Sequence, residues 1–161
     1  MASAIKIRKM TRRDKPALMN LLKDTPEFTP AEVVIAEEVI DSYLKDPIKS
    51  GYFTIVAMNG ETLAGYLCYG PTPLTEGTWD LYWAAVSRSV RGKGIGKKLW
   101  EIGEADIIKQ GGRLGIIETS SKPNYESTRR FHEGRGYKEV GRIADFYAVG
   151  DDKIIYVKQL N

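Results

Sequence analysis

Apolar positions recur along this chain with two periods, and the switches between them mark out its elements. "IKIRKM" alternates apolar with basic residues, which predicts a half-buried strand over residues 5–9. In "TRRDKPALMNLL" the period lengthens. Leu18, Leu21 and Leu22 form one stripe, Thr11 or Asp14 supplies an N-cap, and Pro16 falls in the first turn, where it is tolerated. A second helix starts at "TPAEVVIAEEVIDSYL": Thr29 caps it, Pro30 takes its first position and Glu32 completes a capping box. Val33, Ala36, Ile40 and Tyr43 follow at helical spacing. "YFTIVAMNGETLAGYLCYG" predicts two strands around Asn59-Gly60, a two-residue hairpin signal, and "TWDLYWAAV" predicts another near residues 78–86. "IGKKLWEIGEADIIKQ" predicts a helix with Ile95, Leu99, Ile102 and Ala105 on one face, a Lys97–Glu101 pair and Gly111 as its cap. "RLGIIETS" reads as a short buried strand, "YESTRRFHEGRG" as a helix of about three turns, and "YKEVGRIADFYAV" and "KIIYVKQL" as strands around "GDD".

The order βααβββαβαββ, without repeats, low-complexity segments or linkers, predicts one mixed α/β domain over residues 1–161. A composition of 42% hydrophobic and 28% charged residues is that of a globular protein with a sizeable core. The net charge of +3 suits small anionic ligands and falls short of a nucleic-acid binder. No apolar run has the length of a membrane span, and "MASAIKIRKM" lacks the apolar core of a signal peptide, so a cytoplasmic address is expected. Cys68 has no partner for a disulfide. With His132 the only histidine, no metal is expected.

One segment carries readable chemistry. "VRGKGIGKKLW" threads glycines with basic residues between the strand ending "AAV" and an amphipathic helix. A nucleotide-triphosphate loop would need Gly at Arg91 and Ser or Thr at Lys98, and a dinucleotide loop would need Gly at Lys97. Both fail. What fits is R-x-x-G-x-G over Arg91, Gly94 and Gly96, a concave run of backbone N–H groups with a helix dipole behind it, suited to a diphosphate.

At this point the chain resembles the GNAT family of N-acetyltransferases, over nearly its whole length. "WAAVSRSVRGKGIGKKLW" is similar to the family's acetyl-coenzyme A motif, and "IIETSSKPNYESTRRFHEGRGYKEV" to its later strand–helix unit. The resemblance implies a mixed, mostly antiparallel sheet of about seven strands flanked by about four helices. It implies that Arg91, Gly92, Lys93, Gly94, Ile95, Gly96 and Lys97 hold the coenzyme's pyrophosphate through their backbone. It also implies that the strand end at Ala85 and Val86 pairs with the pantetheine arm, and that Asn124 contacts the coenzyme. The activity implied is acetyl transfer from acetyl-coenzyme A to an amine of a small molecule or peptide. Neither nucleic acid nor membrane is an expected partner, and homodimers through the C-terminal strands are open. A non-catalytic acyl-coenzyme A binding module is the alternative.

That reaction needs an amine freed of its proton, donors for an oxyanion and a proton for the leaving thiolate. The resemblance puts the oxyanion donor at the Val86 N–H. Asp80 and Glu118 are polar positions in apolar strands, and Glu118, at a strand's C-terminal end, is the expected base. The family's usual acid is a tyrosine where this chain has "FHEGRGY", so His132 stands in its place, and Tyr125 is the other candidate. Phe131 and Tyr137 read as core, Arg129 and Arg130 as facing solvent or, on the resemblance, the coenzyme's 3′-phosphate, and Cys68 as a small buried apolar residue. Glu27, Glu37 and Glu38, near the expected acceptor side, offer charge to attract a cation, with a solvated helix face as the other reading.

Overall fold

Local chemistry sets the first half of the chain as its periods suggest. The computed structural model describes residues 4–161. Strand β1 (Ile5–Lys9) runs into a short 3-10 turn whose Asp14 carboxylate accepts from the Thr11 N–H at 2.7 Å and from Arg8 at 2.7 and 2.8 Å. Helix α1 (Lys15–Asp24) buries Leu18, Leu21 and Leu22. Helix α2 (Pro30–Lys45) opens on the capping box: Glu32 Oε2 accepts from the Thr29 N–H at 2.7 Å, and Thr29 Oγ1 from the Glu32 N–H at 3.2 Å. Strands β2 (Phe53–Asn59) and β3 (Thr62–Pro71) join through Gly60-Glu61 rather than Asn59-Gly60: Asn59 stays in β2, paired with Thr62, and Gly60 alone takes the positive φ, 63°, that the first position of such a turn requires. Then come β4 (Thr78–Val86), α3 (Ile95–Lys109), β5 (Leu114–Ser120), α4 (Glu126–Gly134), β6 (Lys138–Ala148) and β7 (Asp151–Gln159).

Seven strands form one sheet in the order β1-β2-β3-β4-β5-β7-β6, antiparallel throughout except for β4 and β5. One face is covered by α1 and α2, packed on Val56, Tyr66, Cys68 and Ala85. The other carries α3 on Leu67, Tyr69, Trp79 and Ile117. Among the described residues no helix is long and apolar enough to cross a membrane, and no acidic, His or Cys group is arranged to hold a metal.

The inner face of α3 differs from the one its period suggests. Ile102 is 48% exposed and Ala105 is exposed, whereas Ile95, Leu99, Gly103 and Ile107 face the sheet with Trp100 and Glu104. The cause is close approach. A Cβ on Gly103 would lie 2.7 Å from Leu67 Cδ2, so the helix sits where only glycine fits. The buried Glu104 is compensated by Lys158 at 2.8 Å, Arg135 at 2.9 Å and the Tyr137 hydroxyl at 3.0 Å. These contacts tie α3 to the segment after α4 and to β7. Removing one partner strands the other charges, so Glu104→Ala should cost about 3 kcal/mol, or roughly 10 °C in Tm by thermal unfolding. Glu104→Gln should lose less, since it keeps the hydrogen-bonding shape.

Candidate active site

The sheet is split at its centre. Strands β4 and β5 pair only over Thr78–Asp80 and Leu114–Ile116, yet β4 continues to Val86 and β5 to Ser120. The break coincides with a bulge. Cys68 is paired with Trp83 but Tyr69 with Leu81, which leaves Tyr82 as the extra residue and bends β4 two residues past its last pair with β5. Beyond it β4 follows β3 while β5 follows β7, and a cleft opens between them.

Ladder alternation decides which main-chain groups face this cleft. The Ser87 N–H donates to Ala64 at 2.8 Å, so Ser87 and Ala64 are a hydrogen-bonded pair and Val86 and Gly65 are not. The N–H and C=O of Ala84 and Val86 therefore point away from β3, into the cleft, while those of Ala85 bond to β3. The Val86 carbonyl accepts from Arg91 Nε at 3.1 Å.

Arg91–Lys97 stands at the mouth. Gly92 and Gly94 have φ of 80° and 78°, and a Cβ on either would meet nothing within 4 Å. Gly94 caps α3 without a side-chain bond, and the first helical acceptor is taken by Lys98, which donates to Gly94 O at 3.0 Å. The N–H groups of Ile95, Gly96 and Lys97 precede any intrahelical partner, and no acidic residue lies in this turn. The backbone is thus a cradle of donors around open space. Lys93 is exposed, and Lys97 lies 3.9 Å from Glu101. The Phe131 ring is among the side chains nearest Gly96 and, with the Val86 side chain, walls the cradle; it is only partly buried, unlike the core residue its pattern suggested.

The β5 wall is held from behind. Arg129, expected in solvent, donates to the carbonyls of Ser120 and Lys122 at 2.8 and 2.9 Å. The Ser120 hydroxyl bonds the buried Asp151, which pairs with Lys122 at 3.6 Å. Arg130 remains exposed, paired with Glu126. Asn124 lies exposed in the turn before α4. Tyr125 reaches across the cleft, its hydroxyl donating to the Glu27 carbonyl at 3.0 Å. Burial first, then Glu32 and Glu27, hold that phenol well above its ordinary range.

The expected base and acid lie in different surroundings. Glu118 shares the α1–α2 face with Asp80 by sheet parity, is half exposed and contacts Lys153 at 2.8 Å. Lys153 Nζ in turn sits 3.8 Å over the Phe146 ring. Phe146 and Tyr147 hang over this end because β6 bulges between Ile143 and Ala148, where Asp145 takes φ 54° and its N–H donates to Asp152 at 2.9 Å. Asp80 accepts from Thr72 at 2.5 Å. His132 is 4% exposed, with Trp100, Phe131, Tyr137 and Tyr156 ring centroids 5.3 to 6.3 Å away. Burial pulls its pKa down to about 4, so the imidazole is neutral near pH 7. Cys68 is buried, its thiol pushed up to about 12, which leaves it protonated. Sequence periodicity gives no sign of Phe131 or Lys153 at the cleft, whereas Glu27 is one of the three acidic positions expected near the acceptor.

Known proteins share this architecture. A crystal structure assigned to the GNAT acetyltransferases, from Desulfovibrio desulfuricans, is 38% identical, covers 98% of this chain and 100% of its own, and superposes with a TM-score of 0.94. An aminoglycoside 6'-N-acetyltransferase complexed with coenzyme A is 21% identical over 97% of both chains, with a TM-score of 0.77. A ribosomal-protein-alanine N-acetyltransferase from Brucella melitensis is 21% identical over 96% and 99%, with a TM-score of 0.74. No curated protein matches the sequence. The sheet and its helices are those of the GNAT acyl-coenzyme A N-acyltransferase fold. The model of the "Acetyltransferase (GNAT) family" matches residues 15–137, most of the chain, and on that ground this protein belongs to the GNAT family.

Proposed function

We propose that this protein transfers the acetyl group of acetyl-coenzyme A to a primary amine of a small molecule or peptide by direct attack. The cleft between β4 and β5 carries the reading: one wall offers main-chain donors and acceptors, and its mouth is a cradle of unpaired N–H groups. The fit is to a linear amide-bearing arm that ends in a diphosphate. An extended arm can add to the open edge of β4 as a strand would, and the pyrophosphate suits the Arg91–Lys97 backbone and the α3 dipole. Acetyl-coenzyme A supplies a thioester, so the amine nitrogen forms the new C–N bond as the C–S bond breaks and the thiolate leaves with its electron pair.

The chain's residues then divide the remaining work. The Val86 N–H, free of β3, is the donor for the carbonyl oxygen as it gains charge. Glu118 is the base that takes the amine's proton, directly or through water. The Tyr125 hydroxyl, kept protonated by burial, is the proton donor on the cleft side. His132 takes no step in this scheme, because it is enclosed by aromatic rings and neutral. Asn124 and Lys93 line the coenzyme's path from the exposed side.

Free-thiol release from acetyl-coenzyme A with a panel of amines tests the activity; tight coenzyme binding with no release across the panel would favour the non-catalytic alternative. Gly94→Asp forces a side chain into a left-handed position and puts a carboxylate in the cradle. Coenzyme A affinity, read by calorimetry, should fall by roughly a hundredfold or more, and unchanged affinity would move the site elsewhere. His132→Phe should leave thiol release near neutral pH within about threefold of wild type. The same variant should alter acid stability. The folded state favours neutral His132, so its contribution is whole above the ordinary value of 6.5 and is lost as pH falls through about 4. Wild type should lose about 3 kcal/mol over that window from this group, and the variant should not, as read by denaturant titration at each pH.

A further inference from the structure

Glu27 lies in the connection between α1 and α2, and its Oε2 is buried with no hydrogen-bond partner among the described residues. Its other oxygen is 3.5 Å from Arg91 Nη1. The Nε of that same guanidinium holds the Val86 carbonyl at 3.1 Å. From the opposite wall Tyr125 donates to the Glu27 carbonyl at 3.0 Å. One residue thus touches both sides of the cleft, and its Oε2 is the one carboxylate oxygen among the seven buried side-chain atoms that lack a partner in the described residues.

A carboxylate oxygen stripped of water is costly to leave bare, and such atoms in folded proteins are occupied by a partner. The other acidic groups at this end have theirs: Glu118 has Lys153, Asp151 has Ser120 and Lys122, and Glu32 caps α2. Glu37 and Glu38 sit on α2, and Glu37 faces Lys15 at 3.9 Å. Arg91 engages only Oε1, so it orients the carboxylate without consuming Oε2. The group that fits is compact, cationic and rich in N–H donors.

We infer that Glu27 Oε2 receives the ammonium group of the acceptor, which makes Glu27 a specificity residue for primary amines that arrive protonated. The inference rests on the acetyltransferase reading of the cleft. Arg91 then has two duties: its backbone belongs to the coenzyme loop, and its side chain holds the acceptor's anchor beside Val86. Oε2 is covered in the free protein, so the inference requires the Tyr125–Glu27 contact to open when the acceptor binds. An alcohol or a neutral amide offers no positive charge to this oxygen and is bound less well.

Glu27→Gln isolates the claim, since it keeps a carbonyl oxygen for Arg91 and replaces only the unpartnered oxygen by NH2. The probes are cadaverine, glucosamine and alanyl-alanine amide. For the best of them, KM from thiol release and Kd from calorimetry on the coenzyme A-loaded protein should both rise roughly tenfold to a hundredfold. Coenzyme A affinity and kcat should stay within about twofold, and Glu27→Asp should recover part of the amine affinity. Unchanged KM and Kd in Glu27→Gln would overturn the inference alone. So would a parallel fall in coenzyme affinity, which would mean that Glu27 serves only to brace Arg91. If wild type releases no thiol with any of the three amines, the acetyltransferase reading itself falls and takes the inference with it.

Discussion

Two strands that start as neighbours and stop pairing after three residues govern this molecule. Hydrogen bonding between β4 and β5 ends at Asp80 and Ile116, at the point where the Tyr82 bulge turns β4 aside. A buried strand edge with open N–H and C=O groups is normally a fault that folding avoids. Here the Val86 carbonyl is met by Arg91, but the N–H groups of Ala84 and Val86 face a gap. A sheet held intact below the break and opened above it leaves a slot between two strands.

The walls of that slot are braced by charges that are themselves paired. Glu104 is buried among Arg135, Lys158 and Tyr137, and it locks α3, whose N-terminus is the anion cradle, to β7. Arg129 fastens the end of β5, and Asp151 joins Ser120 to Lys122 at the start of the turn before α4. Seven buried side-chain atoms among the described residues lack a hydrogen-bond partner, Arg135 Nε and His132 Nδ1 among them, and Glu27 Oε2 is the one carboxylate oxygen of the set. Polar satisfaction is what makes an exception informative.

The acceptor side is more irregular than the coenzyme side. In the proposed arrangement it comprises the α1–α2 connection, the upper part of β4 and the bulge in β6, beside which Lys153 contacts Phe146 and Glu118. Members of one fold family can keep a backbone-built site for a shared co-substrate while such loops vary, because main-chain donors bind without reference to side-chain identity.

Much of this was legible in the residues alone. Thr29, Pro30 and Glu32 start α2 and Gly60 turns the hairpin, one residue later than the Asn-Gly pair suggests, because caps and turns are decided by neighbours in the chain. Gly92 and Gly94 announced an anion loop for the same reason: positive φ is a local demand. The periodicity of α3 was clear, but its rotation was not, since Leu67 and Tyr69 of another strand chose Gly103 over Ile102 for the inner face. Position in a motif set His132 where a proton donor is expected, yet the fold encloses it in aromatic rings and turns Phe131 toward the cradle. Glu27 is one of three acidic positions that the sequence offers to a cation, and only the contacts with Arg91 and Tyr125 from opposite walls, 64 and 98 residues away along the chain, single it out. The elements, their order and the glycine-rich loop after β4 follow from short-range sterics and hydrogen bonding, which the residues carry themselves. Which side chains meet at the cleft was decided only by the tertiary structure, because a bulge in one strand and the splay of two others set directions that no local pattern records.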